Sequence, residues 1–465
     1  MISRPVYFDH NASTAVAPEC LEAIDACLRG GPLNPSSKHS CGEHAKRLVA
    51  DARHAVAASL GAAGSEIVFT SSGTESNHMA ILGALAAHPD RRHIVTSEVE
   101  HPATMMLLRE LQTRGVHVSY LPVDSSGRLN PDVLIETLTE RTALVSLMWA
   151  NNETGVLFPI AQIAEITRRR NILFHTDAVQ AVGKVPVDLQ QVPVDMLSLS
   201  GHKLHAPAGI GALFVRKGAR LPPLLFGHQE RGRRGGTENV AGIVALGVAS
   251  ALMRQRLPAE SARLQALRDR LEAGVLGRVP FARVNGAAAP RVPNTSNLRF
   301  GDLDADLLLG KLDRAGFCAS AGAACSAAGI RPSHVLTAMG LSASAALASL
   351  RISLGPDNDA AQVDAFLRIL PDIVADLMVR SMTPQAAHPS QQEKAVKIMI
   401  RRSADGQLSA YVPKKDLEEP IVAMEKTDLW GGTITLGNGW ELGLPLMPSG
   451  TTLPVTVEAK RLSVG

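Results

Sequence analysis

Cysteine is scarce in this 465-residue chain: only Cys20, Cys27, Cys41, Cys318 and Cys325 occur, and none are spaced as Cys-x-x-Cys. An odd, sparse set excludes a disulfide framework, argues against a zinc cage and points to a reducing, cytoplasmic setting. Aromatic residues are as thin, with 3 Trp, 3 Tyr and 10 Phe, too few to build a stacking platform for nucleic acid. Charge of one sign is missing too. Against 47 Lys and Arg stand 44 Asp and Glu, a formal net charge of +3, so no basic surface for a polyanion is indicated. The longest uncharged apolar stretch, Val240 to Met253, ends at Arg254 and falls short of the roughly 18 residues that cross a bilayer. The first residues, Met1-Ile-Ser-Arg-Pro-Val-Tyr-Phe-Asp9, turn acidic before a signal-peptide core can form. No nucleic-acid partner and no membrane segment are expected.

What is present is a globular composition, 45% hydrophobic and 20% charged, which excludes disorder and collagen. At about 150 residues per domain the length suggests two or three domains with a core that needs no staples.

From about Glu66 to Val215 short β-branched runs alternate with amphipathic or Ala-rich stretches, the βαβα pattern of a mostly parallel sheet covered by helices. The expected strands are Glu66 to Thr70, His93 to Ser97, Val116 to Leu121, Ala143 to Trp149, Ile172 to Thr176, Met196 to Ser200 and Gly211 to Val215. A large domain over 1–258 is expected, its N-terminal segment able to join the next. A smaller α+β domain over 259–379 opens on a charged helical pattern, Glu260 to Leu276, and carries strands Ser296 to Phe300 and Leu350 to Ser353. Residues 380–392, RSMTPQAAHPSQQ, read as a linker. Residues 393–465 read as a small all-β module. It holds Trp430 and Trp440, alternation in Val396 to Ile400 and Val455 to Val457, and the turn dipeptides Asp405-Gly406 and Asn438-Gly439.

Most strands of the first region end in Ser, Thr, His, Asn or Asp, and open α/β sheets bind ligands outside the carboxyl ends of their strands. Met196-Leu-Ser-Leu-Ser-Gly-His-Lys203 delivers a lysine just after an apolar strand, where lost solvation makes an amine nucleophilic. Alone it fits a surface turn equally well. Ile172-Leu-Phe-His-Thr-Asp177 ends in an acid able to keep a pyridinium nitrogen protonated, or simply to cap a helix. Phe69-Thr-Ser-Ser-Gly73-Thr74 leads a strand into a helix whose free N–H groups suit a phosphate. Together with His101 and Asn151-Asn152, these are the parts of a pyridoxal phosphate site in usable order. No G-x-G-x-x-G, no G-x-x-x-x-G-K-[ST] and no H-E-x-x-H competes with that reading. In Cys318-Ala-Ser-Ala-Gly-Ala-Ala-Cys325 the surroundings are too small to pack firmly, so Cys325 is expected to be an accessible, reactive thiol. Cys20, Cys27 and Cys318 are expected to be buried.

These residues resemble the cysteine desulfurases of the NifS/IscS type, which have the class V aminotransferase fold. The match runs through Tyr7-Phe-Asp-His-Asn-Ala-Ser-Thr14, Asn34-Pro-Ser-Ser37, Thr74-Glu-Ser76, Glu100-His101, Asn151-Asn-Glu-Thr-Gly155, His175-Thr-Asp177-Ala-Val-Gln180 and Ser200-Gly-His-Lys203. It continues in Arg234-Gly-Gly-Thr237-Glu-Asn239, Gly322-Ala-Ala-Cys325-Ser and Leu350-Arg351-Ile-Ser-Leu-Gly355, covering about residues 1 to 380. The resemblance implies an α/β protein of pyridoxal phosphate fold type I, like aspartate aminotransferase. It implies Lys203 as Schiff-base lysine and proton carrier, Asp177 on the pyridine nitrogen, His101 stacked on the ring, and Asn152 and Gln180 at the ring oxygen or substrate. Gly73, Thr74, Ser200 and His202 would hold the phosphate, with Thr237 arriving from the other subunit of a homodimer. Arg351 would pair with the substrate carboxylate, and Cys325 would take the substrate sulfur as a persulfide. A metal role is implied for Cys325 only if a transient iron-sulfur cluster binds there. One departure is Leu204-His-Ala-Pro-Ala208-Gly, where the family commonly has a second lysine.

The tail carries a second resemblance, to the small NifT/FixU family linked with nitrogen fixation, in Lys397-Ile-Met-Ile-Arg-Arg402, Tyr411 to Pro420, Leu429-Trp-Gly-Gly-Thr433 and Leu453 to Glu458. The implied function is conversion of L-cysteine to L-alanine, with sulfur passed to an iron-sulfur scaffold protein for nitrogenase maturation. The alternatives are a selenocysteine lyase or aminotransferase of the same fold, or a scaffold whose tail recruits assembly partners. Amino transfer, however, needs no thiol in a loop.

Overall fold

The run TALVSLM, Thr142–Met148, is buried at every position, as a strand covered by helices on both faces must be. It is an interior strand of a seven-stranded sheet ordered Ile67–Thr70, Gly211–Val215, Met196–Ser200, Leu173–Asp177, Thr142–Met148, His93–Ser97, His117–Leu121. The last five are mutually parallel, while Gly211–Val215 is antiparallel to both neighbours. All seven expected strands form, each end within one residue of its expected place. The computed structural model describes residues 5–321, 331–382, 395–403, 406–413, 417–448 and 450–461, and the chain divides into two units, Met1–Met378 and Val379–Gly465. Most of the expected linker, residues 383–392, lies outside the described residues.

Within the first unit a second core forms on the antiparallel sheet Ser320–Ala321, Ser349–Ser353, Thr295–Phe300, Ala282–Val284. Phe8 is fully buried in it beside Phe300, Ile352 and Phe366. Strand Val6–Tyr7 pairs in parallel with Phe317–Cys318, and Asp9 bridges to Ser353. The chain's first strand therefore packs with its last third.

Helix Val240–Arg278 begins twenty residues before the expected Glu260 and contains Pro258, so the expected boundary at 258 falls inside one helix. Its early apolar residues, Val240, Ile243, Leu246 and Ala249, belong to the core of the large sheet. Leu264, Leu267, Leu271 and Val275 belong to the second core. Among the described residues this is the one helix long and apolar enough to cross a membrane by length and composition. Its apolar residues are spent on the two cores instead. The missing charge from Val240 to Met253 thus marks burial in protein.

The second unit is a closed antiparallel barrel of Ala395–Arg402, Leu408–Val412, Leu417–Met424, Thr433–Leu436, Glu441–Gly443 and Val455–Arg461. Closure comes from pairing Ile400 with Val455 and Lys397 with Glu458, and it leaves no free sheet edge. Ile398, Ile400, Trp430, Ile434 and Leu442 fill it.

In the first unit, the turn at Glu230 and Arg231 has φ of 48° and 59°, a conformation costing roughly 1–3 kcal/mol per non-glycine residue unless its surroundings impose it. Here Glu230 is buried and takes both guanidinium nitrogens of Arg53 at 2.6 and 2.7 Å. It also accepts the Phe69 N–H at 3.0 Å. Replacing Glu230 by Ala strands a buried guanidinium and should cost about 3–5 kcal/mol, measured as a drop in denaturation midpoint. Arg53→Met with Glu230→Leu should recover much of that loss.

Candidate active site

The parallel strands deliver their carboxyl ends to one edge, where Asp177 stands opposite Met148 and Ser198. Strand Met196–Ser200 passes directly into the single turn Gly201–Lys203, which brings the lysine to the same edge. A cavity of about 390 Å³ opens there. Of the residues singled out from sequence, Gly73, Thr74, His101, Asn152, Asp177, Gln180, Ser200, His202, Lys203 and Arg351 all line it. Thr237 does not; it lines a separate hollow with Phe69 and Arg234. Cys325 falls in 322–330, outside the described residues, and among the described residues no cluster of His, Cys, Asp and Glu could hold a metal. Cys20 and Cys27 are buried as expected, but Cys318 is only partly so, because its two-residue strand pairs with the half-exposed Val6–Tyr7. A second cavity of about 390 Å³ lies on the other side of Lys203, walled by Leu252, Met253 and Leu257. It shares only Lys203 with the strand-end set.

Lys203 Nζ donates to the carbonyls of Asn11 and Ala12 at 2.5 and 2.6 Å. Burial, with Arg351 adding to it, pushes its proton affinity down from 10.5 to about 8, against the opposing charges of Asp9 and Asp177. Asp177 accepts from Asn77 Nδ2 at 2.7 Å and from the Val179 N–H at 3.0 Å, so its two oxygens are fixed in place. His101 caps the helix Pro102–Thr113, its Nδ1 accepting the Ala103 N–H at 3.2 Å. Burial lowers its proton affinity, with Asp177 opposing. Burial raises the carboxyl of its neighbour Glu100 to about 8; that group accepts from Ser97 Oγ at 2.6 Å and from the Met148 N–H at 3.0 Å.

Arg351 donates to the Asn152 carbonyl at 3.1 Å and to Asp9 Oδ1 at 2.7 Å, while its Nε is buried without a partner. A buried donor left open beside a cavity suits an incoming carboxylate.

Helix Gly73–Ala87 starts at the cavity wall behind the Ser72 cap, and its first intrahelical bond runs from Ser76 N to Ser72 O at 3.1 Å. The N–H groups of Gly73 and Thr74 precede that bond, the arrangement that receives a phosphate. A Cβ on Gly73 would lie 2.7 Å from Val179 Cγ2, so only glycine lets the helix approach this closely. Cradle, strand-end acid, flanking imidazole and desolvated lysine together fit pyridoxal phosphate.

Three contributors lack a role in the sequence reading: Asn77, Asn11 and Lys184. Asn77 lies four residues after Gly73, one helical turn along the same face, the one signal that could have found it. Lys184 follows Gln180 by four residues in a turn segment outside any helix, while Asn11 reaches its partners from 141 to 284 residues away.

Residues 6–366 match the family model for aminotransferase class-V, and residues 396–459 match that for NifT/FixU protein. The chain belongs to the class-V aminotransferases, pyridoxal phosphate enzymes of fold type I, and carries a NifT/FixU-like barrel. A cysteine desulfurase of Nostoc sp. is 48% identical over 380 residues, 82% of this chain and 94% of that one. The cysteine desulfurase NifS of Azotobacter vinelandii is 47% identical over 381 residues, again 82% and 94%. A solved NifS-like protein superposes with a TM-score of 0.74 at 35% identity, covering 80% of this chain and all of that one.

With Lys203 depressed to about 8, the apo-protein should capture an aldehyde at a rate that climbs about tenfold per pH unit below 8 and levels off above it. A rate still climbing toward pH 10 would contradict this. Stopped-flow mixing with pyridoxal phosphate measures the profile.

Proposed function

We propose that the chain is an L-cysteine desulfurase, converting L-cysteine to L-alanine and passing on the sulfur. The observation that carries this reading is the pairing, in one cavity, of a desolvated Lys203 with an Arg351 whose buried Nε lacks a partner. One group suits a cofactor carbonyl and the other an amino-acid carboxylate.

Pyridoxal phosphate, when bound, supplies the electron sink for charge released at the substrate's Cα. Gly73, Thr74, Ser200 and His202 would hold its phosphate end, Asp177 would pair with its ring nitrogen, and His101 would stack on its ring. Lys203 takes and returns the proton at the substrate Cα, a task suited to an amine whose proton affinity is near neutrality. Arg351 and Asn152 orient the substrate. The Cys325 thiol attacks the substrate sulfur: an S–S bond forms, the C–S bond breaks, the thiol proton is released and the carbon is protonated to give alanine. The persulfide then carries the sulfur to a thiol of an iron-sulfur scaffold protein.

The NifT/FixU-like barrel favours nitrogenase maturation as the destination. Thr237 lies outside the cavity lined by its own chain's site residues, and Phe226, in the same segment, is 87% exposed. Both support a homodimer in which that segment completes the partner's site. A cytoplasmic setting, where thiols stay reduced, suits the sulfur chemistry.

Lys203→Ala should lower alanine production on the order of 10²–10⁴-fold. Arg351→Ala should raise KM for cysteine about tenfold to a hundredfold, the value of a charge-assisted hydrogen bond, with cofactor content unchanged. Cys325→Ser should keep the visible absorbance of the bound cofactor and abolish persulfide formation. Mass spectrometry that finds the added sulfur on Cys41 or Cys318 would reassign the acceptor thiol.

A further inference from the structure

Lys184 is partly buried, lines the second cavity and touches Gln180 of the first, and nothing in the reaction described above uses it. Its Nζ donates to Asn11 Oδ1 at 2.7 Å and to Gln180 Oε1. We infer that Lys184 is a positioning residue for the cofactor's ring oxygen, acting by fixing which end of the Gln180 amide faces the cavity. The inference rests on the reading that this cavity holds pyridoxal phosphate.

An amide side chain can be turned end for end with little change of shape, so only its hydrogen bonds decide its orientation. With three protons Lys184 has no lone pair to offer, so it meets Gln180 with an N–H and requires an oxygen there. The amide nitrogen is then directed at the Asn11 carbonyl, to which Nε2 donates at 3.0 Å. Turned over, Gln180 would set its NH2 against the N–H of Lys184 and its oxygen against the carbonyl of Asn11, two repulsive contacts in a buried setting. One N–H of Nε2 remains after these bonds. Gln180 is 6% exposed and lines the cavity, so that N–H is what it offers a ligand, and it suits an anionic oxygen.

Asn11 does not depend on Lys184 in the same way. Its Nδ2 donates to Thr295 Oγ1 at 2.9 Å and to the Asn152 carbonyl at 3.1 Å, and its Oδ1 also accepts from Asn294 at 3.3 Å. Without Lys184, Gln180 keeps only the Nε2 bond to the Asn11 carbonyl, so the loss falls on it more than on Asn11. Burial, with Lys203 and Arg351 nearby, lowers the proton affinity of Lys184 well below the ordinary range.

The test is a double-mutant cycle on the full-length holoenzyme, with Lys184→Met, Gln180→Leu and the pair. The readouts are the pH midpoint of the bound cofactor's visible absorbance and the kcat and KM for cysteine. Removing a donor from an anionic oxygen raises the proton affinity of the group that shares its charge. Each single variant should therefore raise the midpoint, by about one pH unit or tenfold in proton affinity. Lys203, Arg351, Asp9, Asp177, His101 and His202, the charged and titratable groups facing the site, are unchanged in every variant. In the Gln180→Leu background, Lys184→Met should add nothing. Additive shifts, or no shift in Lys184→Met alone, would overturn the inference. Should Lys184→Met fail to fold, Lys184→Gln in the same cycle keeps one donor toward Gln180 and should move the midpoint less than Gln180→Leu does. A midpoint moved as far would equally overturn it. A wild-type protein without visible absorbance would instead remove the cofactor reading on which the inference rests.

Discussion

The active-site amine is solvated by backbone carbonyls, and much of the fold serves to bring them there. Lys203 meets the oxygens of Asn11 and Ala12 at 2.5 and 2.6 Å. A carbonyl dipole shelters an ammonium without neutralising it, whereas a carboxylate in contact would hold the proton firmly. Burial, with Arg351 adding to it against Asp9 and Asp177, then leaves the amine near 8 in place of 10.5. Those carbonyls belong to a strap pinned at both ends: Phe8 is buried in the second core and Asp9 bridges Ser353. Thr14 donates through N and Oγ1 to the His202 carbonyl, each at 3.0 Å. The lysine and its acceptors are thus tied together across nearly 190 residues of chain.

Helix Val240–Arg278 makes that arrangement rigid within the first unit. One half packs under the large sheet and the other against Phe8's core, so the two sheets are joined by a continuous rod as well as by the strap. Pro258 lies between the halves and interrupts only one backbone bond.

The large sheet was legible because buried parallel strands read as unbroken β-branched runs, and their ends as the polar residues that follow. That placed Lys203 and Asp177 together before any geometry. The long helix was half legible: Glu260 to Leu276 carries the amphipathic period, whereas Val240 to Met253 is apolar all round and resembles a strand run or span as much as a helix. In the barrel, Val396 to Ile400 and Val455 to Val457 alternate clearly, while Leu417–Met424 contains Pro420 and two adjacent glutamates that break the pattern. Asn11 lies in the matched stretch Tyr7 to Thr14 but gained no role there, because its partners are distant in sequence and periodicity reports only local neighbours. Asp9 is another case, a surface-type residue whose role arises from Arg351, 342 positions away.

That Asp9–Arg351 pair also bears on how the catalytic amine responds to substrate. A buried guanidinium without a counter-ion costs several kcal/mol, and Asp9 at 2.7 Å meets that cost while the cavity is open. Arg351 lowers the proton affinity of Lys203 and Asp9 raises it, so the two charges act in opposite senses at the amine. A substrate carboxylate arriving at the unpartnered Nε of Arg351 adds a second negative charge on the same guanidinium, which has donors enough for both. The balance at Lys203 then moves toward greater proton affinity. In the proposed reaction, Arg351 and Lys203 are therefore linked electrostatically, and the amine becomes a stronger base when a carboxylate occupies the site.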